Sequence, residues 1–429
     1  MRKRVVLALV LILALVMSTS CSLIVKDEAV DMATPVLEVN GQVFTKGEVK
    51  AQTEYYLDEN EYMYSYYYGM PFDRTSESAI ATAQSQAIQY LTEKAVVDGK
   101  LAEYGFTTFT DEELAEIEAQ ANEDYQLYYE TIQNFFFSGS ELTGDELDAA
   151  IKAEMASMGY PDEASLVESY KYTKSQEKLI AEMNKDVAVS EEEVVTEYNA
   201  RVEEDKAAYE ANPAAYGTAL MDGASPYYAP AGYRYVKHIL LQFAAEDQTF
   251  IDELKLTISE KQTERAAAEA EGKDTAAIDA DLEMLQGDLT AALEQAYAKL
   301  QPTVDEINAK IAEGADFAEL IAQYNQDPGM TDEPAGYPVS AVSTDWVTEF
   351  ADASMALTAV GDVSAPVRSD FGIHIIRYES DIAEGEIGLE TVRDKLMEAM
   401  LTEKQASNVE TMLNQWVEEA NIVIHEKEL

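Results

Sequence analysis

Residues 233–243 read YRYVKHILLQF and residues 371–378 read FGIHIIRY. Both are short runs of branched, aliphatic and aromatic residues. Each sets one histidine, His238 or His374, where the two-residue alternation of a strand sends it to one face. The whole chain holds three histidines, so two of them in such runs is a pattern to explain. Burying an imidazole is costly unless its ring nitrogens find partners. Two histidines that donate and accept to each other and to a carboxylate meet that need, as a structural pairing, as a site, or as both.

Outward from the first run, residues 246–300 are acidic, rich in alanine and broken at Gly272-Lys273-Asp274. Ile278, Leu282, Leu285, Leu289, Ala292 and Ala296 recur at alternating spacings of four and three. Such a seam predicts an antiparallel helical hairpin. Pro302 is expected to start a further helix that ends at Gly314. On the other side, residues 213–232 (PAAYGTALMDGASPYYAPAG) are dominated by Pro, Gly, Ala and Tyr and read as a linker.

Before that linker the chain speaks mostly in helices. Residues 36–43 read as a small hairpin with Asn40-Gly41 as its turn. Thr45 with Glu48, flanked by Phe44 and Val49, is a capping box with a hydrophobic staple. The same grammar recurs at Thr110 with Glu113, Thr143 with Glu146 and Ser190 with Glu193. Four such starts predict a helical region from 45 to 212, with Gly105 ending one long helix. At the far end, Leu389, Val392, Leu396, Met400, Val409, Met412 and Trp416 mark a long amphipathic helix, followed by a short strand, Ile422-Val423-Ile424. Residues 55–68 (YYLDENEYMYSYYY), Tyr128-Tyr129 and Phe135-Phe136-Phe137 are unusually aromatic. They read either as core packing or as an adaptable surface for unfolded chain.

Composition bounds the function. Apolar residues make up 47% of 429, enough for two or three domains with real cores. The formal net charge is -52, from 82 acidic and 30 basic residues. Such a surface repels nucleic acid and anionic headgroups. It reads as a solvated face, or as an attraction for basic clients. Arg2, Lys3 and Arg4 precede an unbroken apolar run from Val5 to Met17, then Ser18, Thr19 and Ser20. That reads as a signal peptide over 1–20, its apolar run too short to span a bilayer. Cys21 is the only cysteine, so no intramolecular disulfide forms. It follows the signal directly, either incidentally or as the end of a motif. No metal-ligand spacing, Gly-rich phosphate loop or Ser-His-Asp order is present, and no cofactor is expected. A solute-binding protein would need a long α/β alternation that is absent.

Four blocks in order carry a resemblance: YRYVKHILLQF (233–243), GADFAELIAQYNQDPG (314–329), WVTEFADASMAL (346–357) and GDVSAPVRSDFGIHIIRYE (361–379). They resemble a parvulin-type peptidyl-prolyl isomerase domain whose first strand and first helix are separated by an inserted hairpin. VLEVNGQVFTKGEV (36–49) and the closing helix resemble the chaperone parts of the PrsA and SurA foldases, PrsA being the nearer. Ser18-Thr19-Ser20-Cys21 resembles a lipoprotein box, implying a diacylglycerol anchor on Cys21, whose two acyl chains suffice for stable attachment. The implied fold is α+β: a helical chaperone module with an inserted parvulin-like domain, a small antiparallel sheet flanked by helices. The expected layout is a tether over 21–35, chaperone region 36–212, linker 213–232, parvulin domain 233–380 with its hairpin at 246–300, and a C-terminal helix over 381–429 packing back on the chaperone region.

By that resemblance His238, Asp327 and His374 form the polar catalytic cluster. Trp346, Phe350, Met355, Phe371 and Pro338 line the proline pocket. Two departures stand out. The family's Gly-Gly-Asp-Leu-Gly stretch reads Pro334-Ala335-Gly336-Tyr337-Pro338 here, with Pro338 expected in place of the pocket leucine, and Trp346 stands for a usual Met. By the same resemblance, Gln242 and the acidic residues beyond it, where phosphate-specific parvulins carry basic ones, argue against a preference for phosphorylated substrates. The implied activity is isomerisation of X–Pro bonds in unfolded or partly folded secreted polypeptides, outside the cytoplasm. The alternative is a non-catalytic holdase.

Overall fold

The computed structural model describes residues 28–429, with residues 331 and 332 by backbone only. Cys21 and the signal expected over 1–20 lie outside the described residues. Among the described residues no helix is long and apolar enough to cross a membrane. The chain divides into two compact units, one ending at residue 188 and regaining 401–429, the other spanning 189–400.

In the first unit, Pro35–Val39 and Gln42–Thr45 pair antiparallel as the expected hairpin. Asn40 (φ 51°) and Gly41 (φ 89°) both take the left-handed conformation that a two-residue turn with the twist of its strands requires. Ile422–Ile424 adds to the free edge of Pro35–Val39, giving a three-stranded sheet. Val36, Leu37, Val39, Phe44 and Val49 bury themselves against Leu91, Ala95 and Val96 of the helix Glu77–Glu103, with Trp416 packed alongside.

Three of the four expected helix starts form reciprocal capping boxes, at Thr45, Thr110 and Ser190, the last in the second unit. Each is worth about 1 kcal/mol. The fourth differs. Gly144 (φ 56°) displaces Thr143 as the cap of Asp145–Ser157, and Asp145, Glu146 and Asp148 complement the helix dipole instead.

The aromatic run is not core. Helix Lys46–Tyr62 loosens into a π-helical turn, Met63–Tyr67. Tyr55, Tyr62, Tyr64, Tyr66, Tyr67 and Tyr68 stand exposed. They pack on one another, with Tyr62 stacked on Tyr66 at 5.2 Å and Tyr64 beside Phe72 at 5.3 Å. Tyr128, Tyr129 and Phe137, in contrast, pack on the buried Ile132, Ile151 and Met155.

The second unit holds a four-stranded antiparallel sheet in the order Tyr337–Val339, Arg234–Gln242, Gly372–Asp381, Val367–Ser369. Alternation sorts the two long strands. Ile239, Leu241, Ile373 and Ile375 face a core completed by Ile251, Ala296, Tyr297, Val304, Ile307, Phe317 and Leu320. Val236 and Ile376 face the other way, against Met330, Tyr337, Phe350 and Ala351. Burying each large aliphatic here stabilises by about 1.5–3 kcal/mol.

The helical hairpin forms as Ala245–Ala270 and Ala276–Ala312, with the seam from Ile278 to Ala296 turned inward. Its second arm does not stop at Pro302. Ala296 and Tyr297 before the proline and Val304 and Ile307 after it all bury in the same core, and that outweighs one lost hydrogen bond. Residues 213–232 are also more ordered than a linker. They contain the helix Ala214–Met221, and Tyr216 packs between Tyr209 and Tyr233 at 5.3 and 5.0 Å. Glu191–Ala211 contributes Val194, Tyr198 and Val202 to a cluster with Val392 and Leu396. Helix Leu389–Glu419 thus begins in the second unit and ends in the first.

Candidate functional site

The register of the two long strands builds the histidine pair. Leu240 lies opposite His374 and Ile376 opposite His238. The two histidines are therefore diagonal neighbours on one face, within reach across the sheet. Their rings stack at 5.3 Å with Nδ1 to Nδ1 at 3.1 Å, and both are buried.

Asp327 arrives on the loop after helix Phe317–Tyr324. That loop serves strand groups that no neighbouring strand reaches. Asn325 Oδ1 accepts from the Leu240 N–H at 2.9 Å, the Gln326 N–H donates to the Leu240 carbonyl at 2.9 Å, and Gln326 Oε1 accepts from the Gln242 N–H at 2.7 Å. Backbone bookkeeping thus pins the loop to the sheet edge. Asp327 Oδ2 then lies 2.8 Å from His238 Nε2. At the other end Ser369 Oγ lies 2.7 Å from His374 Nε2.

With both imidazoles neutral, these partners set one direction. The Asp327 carboxylate accepts from His238 Nε2–H, His238 Nδ1 accepts from His374 Nδ1–H, and His374 Nε2 accepts from the Ser369 hydroxyl. The His238 hydrogen bond, helped by Tyr337 and the Gly329 N–H, holds the Asp327 carboxyl at about 2 against the opposing effect of burial. Burial first, and the neighbouring His238 second, lower His374 to about 3. Asp327 therefore stays a carboxylate and His374 a neutral imidazole around neutral pH.

An aromatic wall adjoins it. Phe350, on helix Thr348–Ala356, sets its ring 5.1 Å from His238 and 5.3 Å from His374. Trp346 is 5.6 Å from Phe350 and donates from Nε1 to the Pro338 carbonyl at 2.9 Å. Met355 is half-buried in the same cluster, while Phe371 stands exposed with its N–H donating to Ser369 Oγ at 3.2 Å. Pro338 is buried and meets this wall through its carbonyl. Two residues that sequence reasoning passed over belong here, Tyr337 and Ser369. Tyr337 packs its ring at a tilt on Trp346, 4.4 Å between centroids, and donates to Asp327 Oδ2 at 2.7 Å. Val236 opposite Tyr337 in the register is the signal that places Tyr337 on the histidine face, and it is a tertiary one. Among the described residues no group of three or more His, Cys, Asp or Glu is placed to hold a metal ion.

Residues 288–380 match the rotamase family, the PPIC-type PPIase domain. The match begins inside the second arm of the hairpin, so it leaves out the strand Arg234–Gln242 that carries His238. The foldase protein PrsA of Geobacillus sp. (strain WCH70) is 33% identical over 132 residues, 30% of this chain and 46% of that protein. The PrsA of Oceanobacillus iheyensis is 31% identical over 160 residues, 34% and 52% of the two chains. The chain thus spans about half the length of the curated relatives that it matches. The crystal structure of PrsA from Bacillus subtilis overlaps 70% of this chain and 82% of its own, with 16% identity and a TM-score of 0.22, too low to build on. The chain therefore carries a PPIC-type PPIase domain of the parvulin kind, and over a third of its length it is similar to the PrsA foldases.

Proposed function

We propose that this chain is an extracytoplasmic foldase that catalyses cis/trans isomerisation of X–Pro bonds in unfolded or partly folded secreted polypeptides. The observation that carries the reading is the stacked His238–His374 pair, bonded to Asp327 and walled by Phe350. Rotation about X–Pro meets a barrier of about 18–20 kcal/mol because the amide nitrogen is conjugated. A site lowers it by binding the twisted imide better than either planar isomer. Phe350, Trp346, Met355, Phe371 and Pro338 would exclude water and grip the ring. His238, Asp327 and His374 would present an oriented field to the carbonyl side as conjugation breaks. No nucleophile is needed and no proton has to move.

A holding activity would accompany the isomerase. The exposed, self-stacked tyrosines from Tyr55 to Tyr68 favour it, since aromatic rings give contact area at small entropic cost. In this reading residues 36–212 with the closing helix over 381–429 form the chaperone region and 233–380 the isomerase domain. Residues 1–20 would be removed and Cys21 lipidated, so that a tether over 21–35 holds the protein at the membrane. Turnover by the whole chain on a series of X–Pro peptides tests the proposal. Rates equal to uncatalysed rotation for every peptide refute the isomerase.

A further inference from the structure

We infer that Tyr337 is a positioning residue of this site, its hydroxyl holding the Asp327 carboxylate in register with His238. For its catalytic consequence the inference rests on the isomerase reading above; the linkage between the two side chains does not.

Tyr337 is 5% exposed and starts a strand of three residues. Pairing with Val236 puts its ring on the histidine face, 5.5 Å from the His238 ring. There its hydroxyl donates to Asp327 Oδ2 at 2.7 Å, the same oxygen that His238 Nε2 reaches at 2.8 Å. The Gly329 N–H donates to Oδ1 at 3.0 Å. Donors from the strand Arg234–Gln242, the strand Tyr337–Val339 and the start of the short helix Gly329–Asp332 therefore bracket the carboxylate, and His374 stands behind His238.

The seat of the hydroxyl is tightly made. A Cβ at position 329 would come within 2.5 Å of Tyr337 Oη and 3.4 Å of Asp327 Oδ1, so only glycine leaves room. The carboxylate needs this help. Its side chain is 21% exposed, so water can compete for it, whereas His238 is 3% exposed and has no such substitute. If Asp327 swings out, the buried His238 loses its partner and the direction of the pair is no longer held. Tyr337 also packs against Trp346 at 4.4 Å, so the ring that braces the carboxylate is part of the aromatic wall. The departure at residues 334–338 thus brings in a group that ties the apolar pocket to the polar cluster.

Tyr337→Phe in the full chain keeps the ring and its contact with Trp346 and removes one hydroxyl. Two readouts separate positioning from mere packing. The first is the His238 Nε2 proton by nitrogen-15 NMR at neutral pH, easily assigned among three histidines. It should be slow to exchange in the wild type and about tenfold faster in the variant, the scale of one lost hydrogen bond to a charged acceptor. The second is turnover: kcat should fall about five- to tenfold with KM little changed, since the hydroxyl faces the carboxylate and not the substrate. Gly329→Ala approaches from the other side and should reproduce both effects with the tyrosine intact. The inference is overturned if both variants keep the wild-type exchange rate. It is equally overturned if Tyr337→Phe behaves as wild type while Tyr337→Leu loses activity, which would leave Tyr337 a packing residue. Faster exchange in a chain that never isomerises X–Pro, wild type included, supports the linkage and defeats the isomerase reading.

Discussion

Asp327→Asn changes one atom of a carboxylate that accepts from three donors, His238 Nε2 at 2.8 Å, Tyr337 Oη at 2.7 Å and the Gly329 N–H at 3.0 Å. An amide cannot serve all three. If its oxygen takes the Oδ2 place, its NH2 confronts the Gly329 N–H. If its NH2 takes that place, His238 Nε2 must become an acceptor, the Tyr337 hydroxyl must turn away, and the imidazole pair reverses, with His374 Nε2–H now donating to Ser369. Either arrangement forfeits at least one hydrogen bond to a charged acceptor, in principle about 1.5–3 kcal/mol. With the side chain partly open to water, the expected loss of stability is about 1–2 kcal/mol. The field at the imide changes more, because both charge and direction go. Isomerisation should fall by about ten- to a hundredfold, about 1.4–2.7 kcal/mol of barrier. The assay is exchange between cis and trans X–Pro peptide by NMR, run beside urea unfolding and suppression of client aggregation, which should persist. Equal turnover by wild type and variant, both above the uncatalysed rate, refutes the claim that the polar cluster lowers the barrier.

Other outcomes follow from the same structure. Cys21→Ala should release the mature protein from the membrane fraction; unchanged retention defeats the anchor. Replacing residues 246–299 by a short Gly/Ser loop should cost cooperative unfolding of the second unit, because Ile251, Ala296 and Tyr297 are in its core, while shortening only the tip around Gly272 should not. If the larger deletion folds as well as the smaller, that core does not depend on the hairpin. Stability should also fall with acid through His374. Its folded pKa is lowered to about 3 while an unfolded histidine sits near 6.5, so between those values the unfolded chain binds a proton that the fold refuses. The contribution is whole above about 6.5 and declines by at most about 1.4 kcal/mol per pH unit below it. Asp327 adds to the decline below about 3.9, until pH passes its folded value of about 2. His374→Gln should flatten the difference between pH 6.5 and 4; parallel curves for variant and wild type would show that His374 is not buried neutral.

Much of this was written locally. The turn at Asn40-Gly41, the caps at Thr45, Thr110 and Ser190, and the seam from Ile278 to Ala296 are decided by residues within one or two turns of one another, so the chain itself announces them. The two histidine strands were legible for the same reason, since a period of two is a local property. What the sequence could not decide was anything set by competition across the fold. Pro302 stays inside a helix because the core on both sides of it prefers a continuous rod. Tyr55 and Tyr62 lie on the surface because the helix that carries them buries Val49, Thr53 and Leu57 on its other side. Tyr337 was invisible for the deepest reason. Whether its hydroxyl meets Asp327 depends on the register of Tyr337 against Val236, on a loop that Asn325 ties to Leu240 and on the missing Cβ of Gly329, and the first two are settled only when a strand from far back in the chain arrives.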